Sequence, residues 1–266
     1  MRSILALMRA AWLTAASYRI NLLLSVGSLL VMVVPLYFVA GALQPLMARS
    51  IASQGGQYFG FLIVGMVVLT VLTTAVTALP SAVGSSISNG TLEAMLSTRV
   101  RVPELLAGLL GYPLVWTAVR AAVLLLAGLG LGMQLTWGNS LSGLLILGLI
   151  VVAHLPFGLI AASGVLAFRT TGSIPQGVLA LSGLLGGVYY PTHVIPSWLQ
   201  TVSEALPLTY GLRALRRTML EGEPLSAVLP DVAALAIFAV LLLGLSFVLL
   251  EWSLRYAKRS GTLAHY

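Results

Sequence analysis

The sequence predicts an all-α integral membrane protein with six transmembrane helices, and three observations carry that prediction. Apolar residues make up 59% of the 266 residues and charged residues only 8%, where a soluble domain carries about 25% charged residues. The apolar residues fall into runs of spanning length, since a hydrocarbon core of about 30 Å needs roughly 20 helical residues. The basic residues collect at the ends of those runs. With a mean hydropathy of +1.01, this chain exposes more apolar surface than one globular core can hide, so the bilayer is its solvent.

The same composition excludes several classes. The net charge is +7, but the 14 basic residues are scattered at span ends and lack the clustered face that nucleic-acid binding needs. The absence of cysteine removes disulfides, thiol nucleophiles and Cys-based metal sites. The three histidines, His154, His193 and His265, lie too far apart in sequence to suggest a metal cluster.

The elements follow in chain order within a single domain, 1–266. On a helical wheel, residues 1–20 gather Ile4, Leu7, Met8, Ala11, Trp12, Ala15 and Tyr18 on one side. Arg2, Ser3, Arg9, Thr14 and Ser17 gather opposite. That pattern suits an N-terminal amphipathic helix lying in the interface plane; the alternative is the frayed start of the first span. Spans are expected at 21–42, 58–79, 105–131, 140–168, 174–188 and 229–250, the fifth short and glycine-rich. A cleaved signal peptide ending at Ala40-Gly41-Ala42 is the rival for the first, but its apolar run exceeds the about 7–15 residues of a signal core. With both termini cytoplasmic, Arg2, Arg9, Arg19, Arg99, Arg101, Arg169, Arg255, Lys258 and Arg259 lie inside. Only Arg49, Arg213, Arg216 and Arg217 lie outside, and this is the positive-inside bias.

Two connections are more than slack. In the longest cytoplasmic loop, 85–104, Asn89-Gly90 marks a turn. The run Thr91 to Leu96 reads as a short helix with Leu92, Met95 and Leu96 on one face. Pro103 opens the next helix with Glu104 in its first turn, where an acid complements the dipole. Periodicity alone leaves a docking helix and an ordinary capped connector both open. The loop 189–217, YYPTHVIPSWLQTVSEALPLTYGLRALRR, places Trp198, Leu199, Val202, Ala205 and Leu206 on one face of a helix over 197–206. Pro207 ends that helix, and a second, over 208–219, carries Arg213, Arg216 and Arg217 at i, i+3 and i+4. Together they read as an outer re-entrant helical hairpin before the last span, its Pro191 and Pro207 turns packed on neighbouring spans, since irregular backbone at membrane depth survives only there.

These motifs resemble those of ABC-2 type exporter permeases. Gly90-Thr91-Leu92-Glu93 is similar to the core of that family's intracellular loop. Tyr190-Pro191, Ile195-Pro196 with Trp198-Leu199, Leu206-Pro207-Leu208-Thr209-Tyr210, and then Arg213 and Arg216, resemble its segment before the last span. The charged residue that family members often carry just before Gly-Thr is absent from Ser85-Ser86-Ile87-Ser88-Asn89, so no salt bridge is carried over there. The resemblance implies a permease of the plasma or inner membrane, paired with a second copy or a paralogous permease and driven by separate ABC ATPase subunits. Those subunits would hold the ATP and magnesium, and this chain would bind no cofactor. Asn89, Gly90, Thr91, Leu92, Glu93, Met95 and Leu96 would couple to the ATPase. Tyr190, Pro191, Pro196, Trp198, Pro207, Tyr210, Arg213 and Arg216 would form an outer lid over the exit path, or else a seal at the dimer's rim. The cargo it implies is amphipathic, lipid-like or drug-like, or alternatively a lipid-linked polysaccharide or other glycoconjugate.

The residues argue alongside the resemblance. The only lysine, Lys258, has no phosphate-binding loop before it, so energy must come from a partner or an ion gradient. An ion-coupled secondary transporter calls for intramembrane acids and internal repeats, and neither is visible. An enzyme needs a nucleophile and base that meet, whereas Ser163 and His154 project about 180° apart on one helix. Arg120 stands inside the third span, where a cation costs about 2.5–3.5 kcal/mol on insertion scales. Its options are carbonyls, a wet cavity, an acidic or phosphorylated substrate, an interface or snorkelling. His154 precedes Pro156, which frees a carbonyl near Val152; the histidine either satisfies that defect or carries protons.

Overall fold

Among the described residues, five helices are long and apolar enough to cross a bilayer, and they meet the sequence expectation in order. The computed structural model describes residues 9, 12, 13, 17, 19–91, 102–168 and 173–259, and all regular structure among them is helical. The elements are α1 (Arg19–Met47), α2 (Tyr58–Ser88), α3 (Val102–Gly130), α4 (Ser140–Phe168), α5 (Ile174–Leu185), α6 (Ser197–Glu204), α7 (Pro207–Leu220) and α8 (Leu229–Arg259). Most of the expected interfacial helix over 1–20, and residues 92–96 of the expected coupling helix, lie outside the described residues.

The fifth expected span is shorter than its prediction. Helix α5 has 12 residues, about 18 Å at 1.5 Å per residue, against a core of about 30 Å. Glycine ends it: the Gly186 N–H closes on the Ser182 carbonyl, and Gly187 takes φ +83°, a conformation that favours glycine. Other boundaries differ by extension. Helix α2 runs on through Pro80 to Ser88, and α8 runs to Arg259.

Helix α2 is the centre of the bundle. Of its apolar stretch 78% is buried, against 11% in α1 and 17% in both α3 and α8. It is apolar around its whole circumference from Tyr58 to Val68, all buried, as a helix enclosed by others must be. Helices α4 and α3 pack along it, α8 packs behind α4, and α1 crosses α2 and α3. Close approach of α2 and α4 depends on Gly158, where a Cβ would lie 2.4 Å from the Ala75 carbonyl oxygen. Gly128 lies against Ile63 and Met133 and Gly186 against Leu208, while Gly132 at φ +91° is a turn residue and Gly130 faces open space.

Hydrogen bonds fix which ends lie together. The Gln57 side chain donates to Gly132 O at 3.0 Å and accepts from Gln134 N–H at 3.1 Å. The Gly55 N–H donates to Glu221 at 2.9 Å, Thr136 N–H to Met219 O at 2.9 Å, and Asn139 to Gly222 O at 2.6 Å. The connections 48–57, 131–139 and 221–228 therefore share one end of the bundle, termed here the Tyr58 end. At the opposite, Ser88 end, Ser253 donates to Ser163 O at 2.7 Å, and a second apolar cluster of Leu79, Val83, Leu159, Val165, Leu166 and Leu250 closes the packing. Trp137 and Trp198 are exposed at one end and Trp252 at the other, the arrangement of interfacial aromatic belts.

Candidate transport site

The break after α5 is held by an arginine. Arg216 is 1% exposed. One terminal nitrogen donates to Gly187 O at 2.7 Å and to Gln54 Oε1 at 3.4 Å. The other donates to Val188 O at 2.9 Å and to Phe61 O at 3.0 Å. The guanidinium lies 3.3 Å over the Phe61 ring, where a cation meets the negative face of the ring. Neighbouring carbonyls find donors too: Tyr190 Oη–H donates to Leu184 O, Ser203 Oγ–H to Leu185 O at 2.7 Å, and Tyr58 Oη–H to Tyr189 O at 2.9 Å. Irregular backbone inside a bilayer has to be satisfied by protein, and here side chains from α2, α6 and α7 do it. A Cβ on Gly65 would lie 2.5 Å from Val188 O, so the broken segment rests directly on α2. The result is a hydrogen-bonded plug at the Tyr58 end.

Arg213 pairs with Asp231 at 3.2 Å, and Arg217 with Glu223 at 2.6 Å and Asp231 at 3.8 Å. With Arg216 buried, the triplet makes three ties between α7 and its neighbours. Helix α6 buries only Ser203, while Trp198 is 68% exposed and Val202 also faces out. Its apolar face therefore looks away from the bundle. The polar residue looks in because its hydroxyl, bonded also to Thr209, caps α5. Pro191 and Pro207 are buried and Pro196 is exposed; Pro207 opens α7, where its missing N–H costs nothing. Tyr210 is half-buried beneath Arg213, whose guanidinium stands 5.7 Å from the ring.

A second feature went unread in the sequence: a stripe of hydroxyls along the one uncovered face of α2. Thr70, Thr73, Thr74, Thr77, Ser81, Ser85 and Ser88 fall within an arc of about 120° at 100° per residue. Thr73, Ser81, Ser85 and Ser88 are exposed, and Thr70, Thr74 and Thr77 half-buried. The threonine hydroxyls donate back to their own helix: Thr70 to Met66 O at 2.8 Å, Thr73 to Leu69 O at 2.7 Å and Thr77 to Thr73 O at 2.7 Å. Their protons are thus satisfied while lone pairs face outward. The signal was legible: TVLTTAVT repeats threonine at i, i+3, i+4 and i+7 inside an apolar run. The stripe starts about 18 Å below Tyr58, beneath the plug, and runs to the Ser88 end.

Arg120 and His154 sit on different helices and share no hydrogen bond. Arg120 is half-buried on α3; its Nε is enclosed and unbonded, and it makes no ion pair among the described residues. Thr117, one turn away on the same face, shares a 2.6 Å hydrogen bond with Thr74 of α2. His154 is fully buried, and its Nδ1 lies 2.7 Å from Ile150 O, not from Val152. The histidine thus bonds its own preceding turn rather than the carbonyl freed by Pro156, and its Nε2 has no partner. At the loop end of α2, Asn89 caps the helix through its backbone N–H, Gly90 takes φ +67°, and Thr91 donates to Ser86 O at 3.3 Å. These three make the expected turn.

Comparison with known proteins gives this architecture its family. The family model of the ABC-2 type transporter matches residues 2–220. Nodulation protein J of Rhizobium leguminosarum bv. trifolii is 29% identical over 204 residues, which cover 74% of this chain and 75% of that protein. Nodulation protein J of R. leguminosarum bv. viciae is 27% identical over 193 residues, covering 70% and 71%. A helical membrane protein whose matched region takes in the central helix, the loop after it and the plugged hairpin is thereby placed: the chain belongs to the ABC-2 type transporter family.

Proposed function

We propose that this chain is the transmembrane permease subunit of an ATP-driven exporter. In this reading it moves an amphipathic, lipid-like or drug-like cargo out of the cytoplasm by alternating access. The observation that carries the reading is the hydroxyl stripe on α2, open at the Ser88 end and stopped below the Arg216 plug. A half-polar lane that ends under a closed seal is what an inward-facing path requires. The Ser88 end is then cytoplasmic, the Tyr58 end external, and the lid residues of the hairpin form the outer gate. Two copies, or this chain and a paralogue, would enclose the path between facing stripes.

Six crossings with both termini inside fit this arrangement despite the short α5. A Cβ on Gly183 would lie 3.8 Å from Leu69, about 16 Å below Tyr58. The start of α5 then lies about 13 Å further down, near the cytoplasmic face. The non-helical residues 186–191 complete the crossing. Power comes from separate ABC ATPase subunits, docked on residues 89–96 with Leu92 and Met95 as apolar anchors and Glu93 as a polar contact. A glycoconjugate cargo is the second reading; its hydroxyls would donate to the outward lone pairs of the stripe, and the likeness to the nodulation proteins is consistent with it.

The test uses the complex in proteoliposomes. Stimulation of ATP hydrolysis by a panel of lipids, drugs and glycolipids selects the cargo. Its transport should stop when ATP is removed with ion gradients held. Transport that continues on the gradients alone would instead make the chain a secondary transporter. Leu92→Asp with Glu93→Arg should abolish both ATPase capture and transport; retention of both would place coupling elsewhere.

A further inference from the structure

A small polar cavity of about 10 Å³ lies against the plug, between the end of α5, the first connection and α7. Gln54, Gly187, Thr192, Thr209, Arg213 and Arg216 line it, and none of the described residues on its wall is acidic. Two cations therefore border one small space. They stand at i and i+3 on α7, where like charges oppose each other. Arg213 turns part of its fork to Asp231, and its side chain is 37% exposed. Arg216 is 1% exposed, and every partner the structure gives it is neutral: three carbonyls, the Gln54 amide and the Phe61 ring. Glu223 and Asp231 are engaged by Arg217 and Arg213, and Glu221 accepts from the Gly55 N–H. A buried charge is costly unless a charge of opposite sign sits beside it.

The wall is rich in donors. A Cβ on Gly187 would lie 4.0 Å from a terminal nitrogen of Arg216 and 3.1 Å from Thr192, so the guanidinium stands at the cavity's edge. Four of its five N–H groups reach oxygens, but the bond to Gln54 spans 3.4 Å, longer than a usual N–H···O bond. The fifth, on Nε, is enclosed and unbonded. Gln54 gives its oxygen to Arg216, which leaves its amide nitrogen to donate. The volume admits one particle about the size of a water molecule, too small a space for phosphate, sulfate or a lipid headgroup. A water must donate as well as accept, and the Gly187 and Gln54 oxygens on this wall already serve Arg216. A halide only accepts, and chloride is little larger than water.

We propose that this cavity binds one small monovalent anion, a chloride ion, held by Arg216 and Arg213 with the Gln54 amide as a further donor. The ion neutralises Arg216 at the place where the backbone is broken. It adds a tie between α7, the first connection and the segment after α5. The site rests on the geometry of the plug alone and stands whether or not the hydroxyl stripe is the transport path.

The experiment follows the apparent unfolding midpoint of the purified full chain in nanodiscs as sodium chloride or sodium bromide replaces sodium gluconate at constant ionic strength. Either halide should raise the wild-type midpoint saturably, by about 3 °C. Arg213→Gln keeps Arg216 and its carbonyls in place and should need about tenfold more halide for half the rise. Arg216→Gln should show no rise, and the Arg213→Gln arm covers the case in which that variant does not fold. In crystals grown with bromide, anomalous scattering should place the ion in the cavity. Equal midpoints in halide and gluconate overturn the site, as does a rise that never saturates or one unchanged in Arg213→Gln. Density in the cavity without the bromide signal marks a water and overturns it too.

Discussion

Arg216 ties together residues from the first connection, from α2 and from the segment after α5. Removing it leaves two buried carbonyls of an irregular segment without donors, each costing about 1–3 kcal/mol. Arg216→Leu should therefore lower stability by about 3 kcal/mol or more, read as a fall in the unfolding midpoint of the purified chain. Arg216→Lys should recover part of this, since an ammonium keeps the charge but not the planar fork. Arg217→Gln breaks a part-exposed pair and should cost about 1 kcal/mol or less. The sequence placed Arg216 in the right segment but could not separate it from Arg213 and Arg217, because spacing on one helix does not say which residue meets a broken backbone far away in the chain. His154 shows the same limit. Its proximity to Pro156 was legible, but its acceptor is Ile150.

At the scale of elements, the long apolar runs were readable because hydrophobicity alone decides where a helix crosses lipid. Helix α4 starts and stops where predicted, at Ser140 and Phe168. Composition failed where tertiary contacts compete with it. The apolar run over 174–188 breaks three residues early, since donors on α6, α7 and α2 make an open backbone as well satisfied as a helix. The apolar face of α6 turns outward for a related reason: lipid takes the tryptophan, and the bundle needs the serine hydroxyl. Packing between α2 and α4 leads to a sharp prediction. Gly158→Ala drives a methyl into the Ala75 carbonyl and should destabilise by about 1–3 kcal/mol. Gly130→Ala, where no heavy atom lies within 4 Å, should leave the midpoint unchanged or raise it slightly.

For the whole molecule, the account makes one spatial claim. Under the proposed function, the hydroxyl face of α2 is open to the cytoplasmic Ser88 end at rest and is closed from the outside by the plug around Arg216. In the proposed function, outward opening requires those bonds to break together, driven by ATPase subunits from the far end of α2, about 40 Å from Phe61 along the helix. Because the chain has no native cysteine, single Thr77→Cys and Ser81→Cys variants report access cleanly. The decisive measurement is their modification by membrane-impermeant thiol reagents added to either side of proteoliposomes that contain the complex, with and without ATP turnover. The account predicts labelling from the Ser88 side at rest and from the Tyr58 side only during turnover. Labelling from the Tyr58 side at rest, or none from either side in any state, would contradict it.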